Sequence, residues 1–430
     1  MLLLSGASIG SWLLPAALIV AALLKLPALP NLGHPALTSL AVVGSLAITY
    51  GSVATLDRSW DGLATWTANA RWLAVDGSLN HPYFSDSNVF NYARGYPLFQ
   101  PILLALGIGW LGDHGARVLF PLLWLLLTLA LPAPLRRAGL NDRAMRIAVS
   151  GLLLVPFFLE PGGGGADSGF ADLLVAALLL HAVIGLTEDR PGLTACACLL
   201  LPMAKVEGTI HVLNILIIAA LSGRRRSAVG GTVGGTIGLA LTVPLQHLVR
   251  QPDFALPAES LVQLLAPASV LLLGTALRTL RSRSLALASL VIALAALILL
   301  GRAADTPAAW GLPRLLQIRV DIAAIPQITG HGLLTLVQVK EFGLTFGLTV
   351  ATGLVVAWRQ SLGPLRPLVA VQLIGFAAVV VYLSSRPAEV LDLFLREGLP
   401  RYLAQWVGAA WLFIGLGWAR IQPTEHEAEG

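Results

Sequence analysis

Apolar runs recur along the whole chain, most of them about 17 to 22 residues long, so each can cross a hydrocarbon core of roughly 30 Å. Backbone groups inside such a core must pair within their own segment, so the runs are expected to be helices. The pattern predicts spans at roughly 8–25, 36–55, 117–134, 146–160, 170–187, 192–204, 208–222, 229–249, 259–277, 284–301, 336–357, 367–384 and 402–419. This reads as an all-α, polytopic transmembrane bundle of about 13 helices, a single domain over residues 1–430. Within it, 56–116 form a large first outer loop with juxtamembrane helices, 117–222 carry most of the unusual motifs, and 223–430 complete the bundle.

Composition agrees with the pattern. Of 430 residues 56% are hydrophobic and 12% charged, against about 25% charged in an ordinary soluble protein, and no stretch long enough for a soluble domain remains. Mean hydropathy is +0.78. The net charge of +5 does not point to nucleic acid, because the arginines sit singly or in short groups at the ends of apolar runs, where they orient helices. Lys25 is the first basic residue, so the first run lacks the basic segment that precedes a cleaved signal peptide and is expected to be retained. Cys196 and Cys198 lie two apart in one predicted helix and point in different directions, so neither a disulfide nor a metal site is expected of them.

The basic loops set an orientation. Arg136, Arg137, Arg143 and Arg146 fill one loop, Arg224–Arg226 a second, Arg278, Arg281 and Arg283 a third, Arg359 and Arg366 a fourth, and all are expected on the cytoplasmic side. For that to hold, the apolar run 97–111 is read as a dipping or juxtamembrane helix on the outer face, with Pro97 as its first residue. The outer side then collects the polar, non-basic material, including the loops 56–96, 161–172, 302–335 and 385–401.

Five segments there carry candidate chemistry. The first, Asp57-Arg58-Ser59-Trp60-Asp61-Gly62-Leu63-Ala64-Thr65-Trp66, follows a spanning run. An aromatic belt at a helix end accounts for it, and so does a carboxylate held at the depth of a lipid headgroup, where it can act as a general base. The second, Asn91 to Pro97, is either loop punctuation or a cleft wall built on Tyr96. The third runs through Gly162–Gly165 to Asp172, which sits at a helix start, where a negative charge is favoured, and adds a second outer carboxylate. In the fourth, Ala204-Lys205-Val206-Glu207-Gly208, two charges occupy a short turn between apolar runs, either as a snorkelling pair or as a cation for a phosphate. The fifth, Arg401-Tyr402-Leu403-Ala404-Gln405-Trp406, opens the last helix.

In that order the motifs resemble the GT-C glycosyltransferases, in particular the bacterial group related to the protein O-mannosyltransferases and lipid A aminoarabinose transferases. The resemblance rests on Trp60-Asp61-Gly62-Leu63, Tyr96-Pro97-Leu98-Phe99, Phe170-Ala171-Asp172, Lys205-Val206-Glu207-Gly208 and Arg401-Tyr402-Leu403, and covers roughly residues 56–210 and the last helix. It implies transfer of a sugar from a polyprenyl-phosphate donor to a hydroxyl of a lipid, glycan or protein acceptor, with inversion, at the periplasmic or exterior face of a bacterial inner membrane. Asp61 is the implied base, with Asp57 the alternative. Asp172 shapes the acceptor side, Lys205 and Arg401 neutralise the leaving phosphate, Glu207 orients Lys205, Tyr96 lines the donor cleft, and Trp66 belongs to the substrate-binding set. The chain departs from the group at Val206, where an Asn is expected, and in lacking an acidic neighbour beside Asp61. No His/Asp/Glu cluster has ligand spacing on one helix, so neither metal nor cofactor is expected. The rival reading is a transporter or flippase for a lipid-linked or small solute, which calls for charges on broken helices near the midplane. A third is a catalytically dead scaffold.

Overall fold

A computed structural model describes residues 35–54, 62–79, 81–86, 89, 91, 96–159, 166, 169–248, 320–359 and 362–422. The runs expected at 8–25, 259–277 and 284–301 lie outside these residues, as do Asp57, Trp60 and Asp61. Every regular element among the described residues is helical. In chain order the principal helices are α1 (Pro35–Ala54), α2 (Ala68–Asp76), α3 (Phe99–Gly115), α4 (Leu119–Leu129), α5 (Asp142–Leu153), α6 (Asp172–Thr187), α7 (Pro191–Ala204), α8 (Gly208–Ser222), α9 (Arg225–Leu248), α10 (Ile325–Val337), α11 (Thr345–Trp358), α12 (Arg366–Leu383) and α13 (Val407–Ile421). The all-α expectation holds for these elements.

The expected tally of spans is not reproduced by helix length. Among the described residues two helical stretches are long and apolar enough to cross a membrane, Ala116–Arg137 of 22 residues and Arg366–Leu383 of 18. The other apolar helices run 10–17 residues. The apolar runs are cut short by local chemistry. Pro156 ends the run begun by α5, the extended Lys205 (φ −158°, ψ 154°) ends α7, and the left-handed Gly223 (φ 83°) ends α8. α2, closed by left-handed Gly77, falls in the segment 56–116 that is expected to carry helices, whereas α10, opened by Pro326, appears inside a segment read as a loop. The dipping helix begins at Phe99 rather than Pro97 and kinks at Gly112 (φ 73°).

The chain divides into two compact units. Of the described residues, the first takes in those within 62–117, 181–248 and 320–321, and the second those within 35–54, 118–180 and 322–422.

In the first unit the strongest packing is α7 against α9. Gly230, Gly234 and Gly238 of α9 lie on the backbone carbonyls of Pro191, Ala195 and Leu199 of α7, where any Cβ would collide. Both series advance by four residues in the same direction, so the two helices run parallel, with α8 returning between them. A small residue at every fourth position is what lets two helix backbones approach this closely. The outer face of α9 carries Val229, Val233, Ile237 and Leu241, again four apart and all exposed, Val233 to 51%. A polar clip closes the N-terminal end. The Asp189 carboxylate accepts from the backbone N–H and the hydroxyl of Ser227, both at 3.0 Å, and so caps α9 from the α6–α7 turn. The α2 and α3 helices pack together, joined at their surface by Arg71 and Asp113 at 3.0 Å, and α3 also packs on α7.

In the second unit α13 is the central helix, with Val407 through Gly415 buried on every side. Helices apolar all round belong in such an interior. Gly151 of α5 receives the Trp411 ring, Gly415 receives Leu135, and Gly417 receives Thr352 of α11. Trp411 places its one polar atom by donating Nε1–H to the Thr345 hydroxyl at 3.1 Å. Large apolar side chains point outward here too: Val42, Leu46 and Tyr50 on α1, Leu333 and Val337 on α10, and Val350, Leu354 and Trp358 on α11.

Candidate functional site

The second unit builds its polar centre at the N-terminus of α6. Gly169, at φ 81°, turns the chain so that Phe170 and Ala171 precede Asp172 at the first helical position. There the carboxylate is 1% exposed and faces the positive end of the helix dipole. Its partners come from the far end of the chain. The short helix Leu399–Ala404, with Pro400 in its first turn, carries Arg401 on the same face as Gln405 four residues on. Arg401 donates Nε–H to Asp172 Oδ2 at 3.1 Å, and Gln405 donates Nε2–H to Oδ1 at 2.6 Å. The guanidinium carbon also lies 3.5 Å from the centroid of the Phe170 ring, a cation–π contact. Two residues assigned to opposite sides of a substrate are thus each other's partners.

Beside this pair sits a second cation. The Arg386 guanidinium lies between the rings of Tyr382 and Phe394, at 4.6 and 4.3 Å, and donates to the Tyr382 hydroxyl. Tyr382 meets Tyr402, the neighbour of Arg401, edge to face at 5.6 Å. Among the described residues Arg386 has no carboxylate partner, and its Nε is buried without a hydrogen bond.

The first unit holds the other two groupings. Lys205 and Glu207 pair at 3.7 Å, with side chains 5% and 13% exposed. They occupy a hairpin so tight that a Cβ on Gly208 would strike the Leu201 carbonyl, which accounts for the glycine at the end of the Lys-Val-Glu-Gly motif. One and two turns into α8, His211 and Asn214 continue the Glu207 face and are buried, at 4% and 3% exposed. Trp66, 2% exposed in a π-helical turn at Gly62–Thr67, meets Tyr96 edge to face at 5.5 Å. Nearby Asn91 donates to buried Asn69 at 3.4 Å and to the Tyr83 carbonyl at 3.3 Å.

The expected site residues therefore meet in three groups: Asp172 with Arg401, Lys205 with Glu207, and Trp66 with Tyr96. Asp57 and Asp61 lie outside the described residues. Arg386, His211 and Asn214 stand outside the sequence motifs, and Phe170 and Gln405 stand inside them without a role of their own. Of these, Gln405 was findable from its four-residue spacing to Arg401, and the Glu207-x3-His211-x2-Asn214 stripe from its helical period. No family model, curated protein or solved structure matches the chain.

Proposed function

We propose that this chain is a polytopic, membrane-embedded glycosyltransferase that takes a sugar from a polyprenyl-phosphate donor and passes it to an acceptor hydroxyl at the outer face. The observation that carries the reading is the Asp172–Arg401 pair. Two of the motifs on which the GT-C resemblance rests, 229 residues apart, touch directly. Lipid surroundings are supported by the exposed apolar stripes on α1, α9, α10 and α11. The basic loops supply the orientation.

In this reading the Asp61 carboxylate takes the proton of the acceptor hydroxyl. The oxygen attacks the anomeric carbon from the face opposite the phosphate. The carbon–oxygen bond to the phosphate breaks, and the polyprenyl phosphate leaves with its electron pair. Lys205, oriented by Glu207, meets the charge that grows on the leaving group, which is a large catalytic lever. Arg401 and Asp172 neutralise each other within the second unit.

The test is transfer by the purified full chain in detergent, with polyprenyl-phosphate mannose, glucose and aminoarabinose as donors and the lipid and glycan fraction of the host envelope as acceptor. At least one donor is expected to be consumed with release of polyprenyl phosphate, and Asp61→Asn is expected to lower the rate by about 10²–10⁴-fold. Equal rates for wild type and Asp61→Asn, with Asp57→Asn equally active, would overturn the reading.

One observation favours a second reading. A buried polar stripe through α8, from Glu207 past His211 to Asn214, is what a solute path between helices requires. Solute uptake into proteoliposomes without donor turnover, abolished by Asn214→Leu, would select the transporter.

A further inference from the structure

A cleft of about 640 Å³ opens on the second unit between α5 and the start of α11. One wall is a single stripe of α5: Arg143, Arg146, Ile147, Ser150 and Leu154, spaced so that all share a helix face. The opposite wall runs from Phe342 to Leu348, and the floor is the Trp411 ring seated on Gly151. The floor's polar atoms are satisfied internally, because Thr345 accepts from Trp411 and donates to the Phe342 carbonyl. What faces the opening is apolar, with Ile147 and Leu154 exposed to 51% and 53%. The charge is all at one end. No carboxylate lines the cleft, and among the described residues neither Arg143 nor Arg146 has an ion-pair partner. From Arg143 to Leu154 the stripe is about 16 Å long at 1.5 Å per residue. That is about half of a roughly 30 Å hydrocarbon core, the depth of one leaflet.

We propose that this cleft is a binding site for one anionic phospholipid of the cytoplasmic leaflet. The phosphate sits between Arg143 and Arg146, and an acyl chain lies along Ile147, Leu154, Leu344 and Leu348. The two guanidiniums give the anionic headgroup its preference, and the apolar walls make the site specific for a phosphate that carries a chain. The inference rests on the membrane placement proposed above and is independent of the sugar-transfer chemistry.

Native mass spectrometry of the full chain in detergent tests it, with phosphatidylglycerol and phosphatidylcholine of matched chains as probes. Wild type is expected to retain one phosphatidylglycerol with about tenfold preference over phosphatidylcholine. Arg143→Gln/Arg146→Gln is expected to remove the preference and Arg143→Lys/Arg146→Lys to keep it. Ser150→Trp, which fills the cleft, is expected to lose both lipids. Helical content by circular dichroism and elution volume confirm that each variant is folded, and the lysine pair carries the test if the glutamine pair is not. Undiminished preference in the glutamine variant, equal binding of both lipids by wild type, or displacement of phosphatidylglycerol by millimolar inorganic phosphate would overturn the site. Release of the wild-type chain from membranes by alkaline carbonate would instead remove the membrane premise, so the two failures are distinguishable.

Discussion

Asp172 and Arg401, 229 residues apart, form an ion pair at 3.1 Å in which the carboxylate is almost entirely shielded from solvent. A buried charge that loses its partner costs about 3–5 kcal/mol, whereas removing both charges together is often close to neutral. Asp172→Asn and Arg401→Gln are each expected to lower stability by about that amount, and the double variant to recover most of it. Thermal unfolding in detergent reads the cycle. Additive losses would mean that the two charges do not depend on each other.

The glycine stripe of α9 makes a sharper packing prediction. Gly234 lies on the Ala195 carbonyl, while Ala240 of the same helix is exposed. Gly234→Leu has no side chain to displace, only backbone, so the helices must separate, with a loss at or above the roughly 1–3 kcal/mol of ordinary overpacking. Ala240→Leu is expected to be neutral within about 0.5 kcal/mol. Comparable losses from both would contradict the parallel α7–α9 contact.

Asp189 caps α9 across a turn that belongs to other helices. Asp189→Ala is expected to cost about 1 kcal/mol, as loss of an N-cap does. Ser227→Ala removes the hydroxyl whose one proton is shared between Asp189 Oδ1 and the Gly185 carbonyl, each at 3.0 Å. The two losses should be less than additive, because they share one network. Full additivity in denaturant or thermal unfolding would show that the clip does not act as a unit.

Much of the helix pattern was legible in the sequence because long apolar runs have few alternatives. The run read at 208–222 is α8 (Gly208–Ser222), and that at 367–384 is α12 (Arg366–Leu383). Boundaries failed where turn chemistry overrode hydropathy. The helix expected from 146 begins at Asp142, because Asn141 accepts from the Ala144 N–H at 2.8 Å as an N-cap, and it stops before Pro156. α10 was hidden because Pro326, Gln327, Gly330 and His331 dilute its apolar residues. The last helix was read as one run from 402, but the chain breaks after Gln405, the residue that turns inward to Asp172. For the site, pairing within one short turn could be read, as in Lys205 with Glu207. Pairing across hundreds of residues could not, since nothing local in Asp172 says that its partner is Arg401 rather than a substrate.

The proposed site requires the Trp60–Asp61 stretch and the Lys205 hairpin to face the same, outer side of the membrane. Single-cysteine labelling with a membrane-impermeant maleimide on intact cells measures this directly, using Ala64→Cys, Val206→Cys and Arg225→Cys. The native Cys196 and Cys198 are buried and supply no background. Labelling at 64 and 206 from outside, with 225 protected until the cells are opened, is the expected result. Labelling of 64 and 206 from opposite sides would contradict the proposed site.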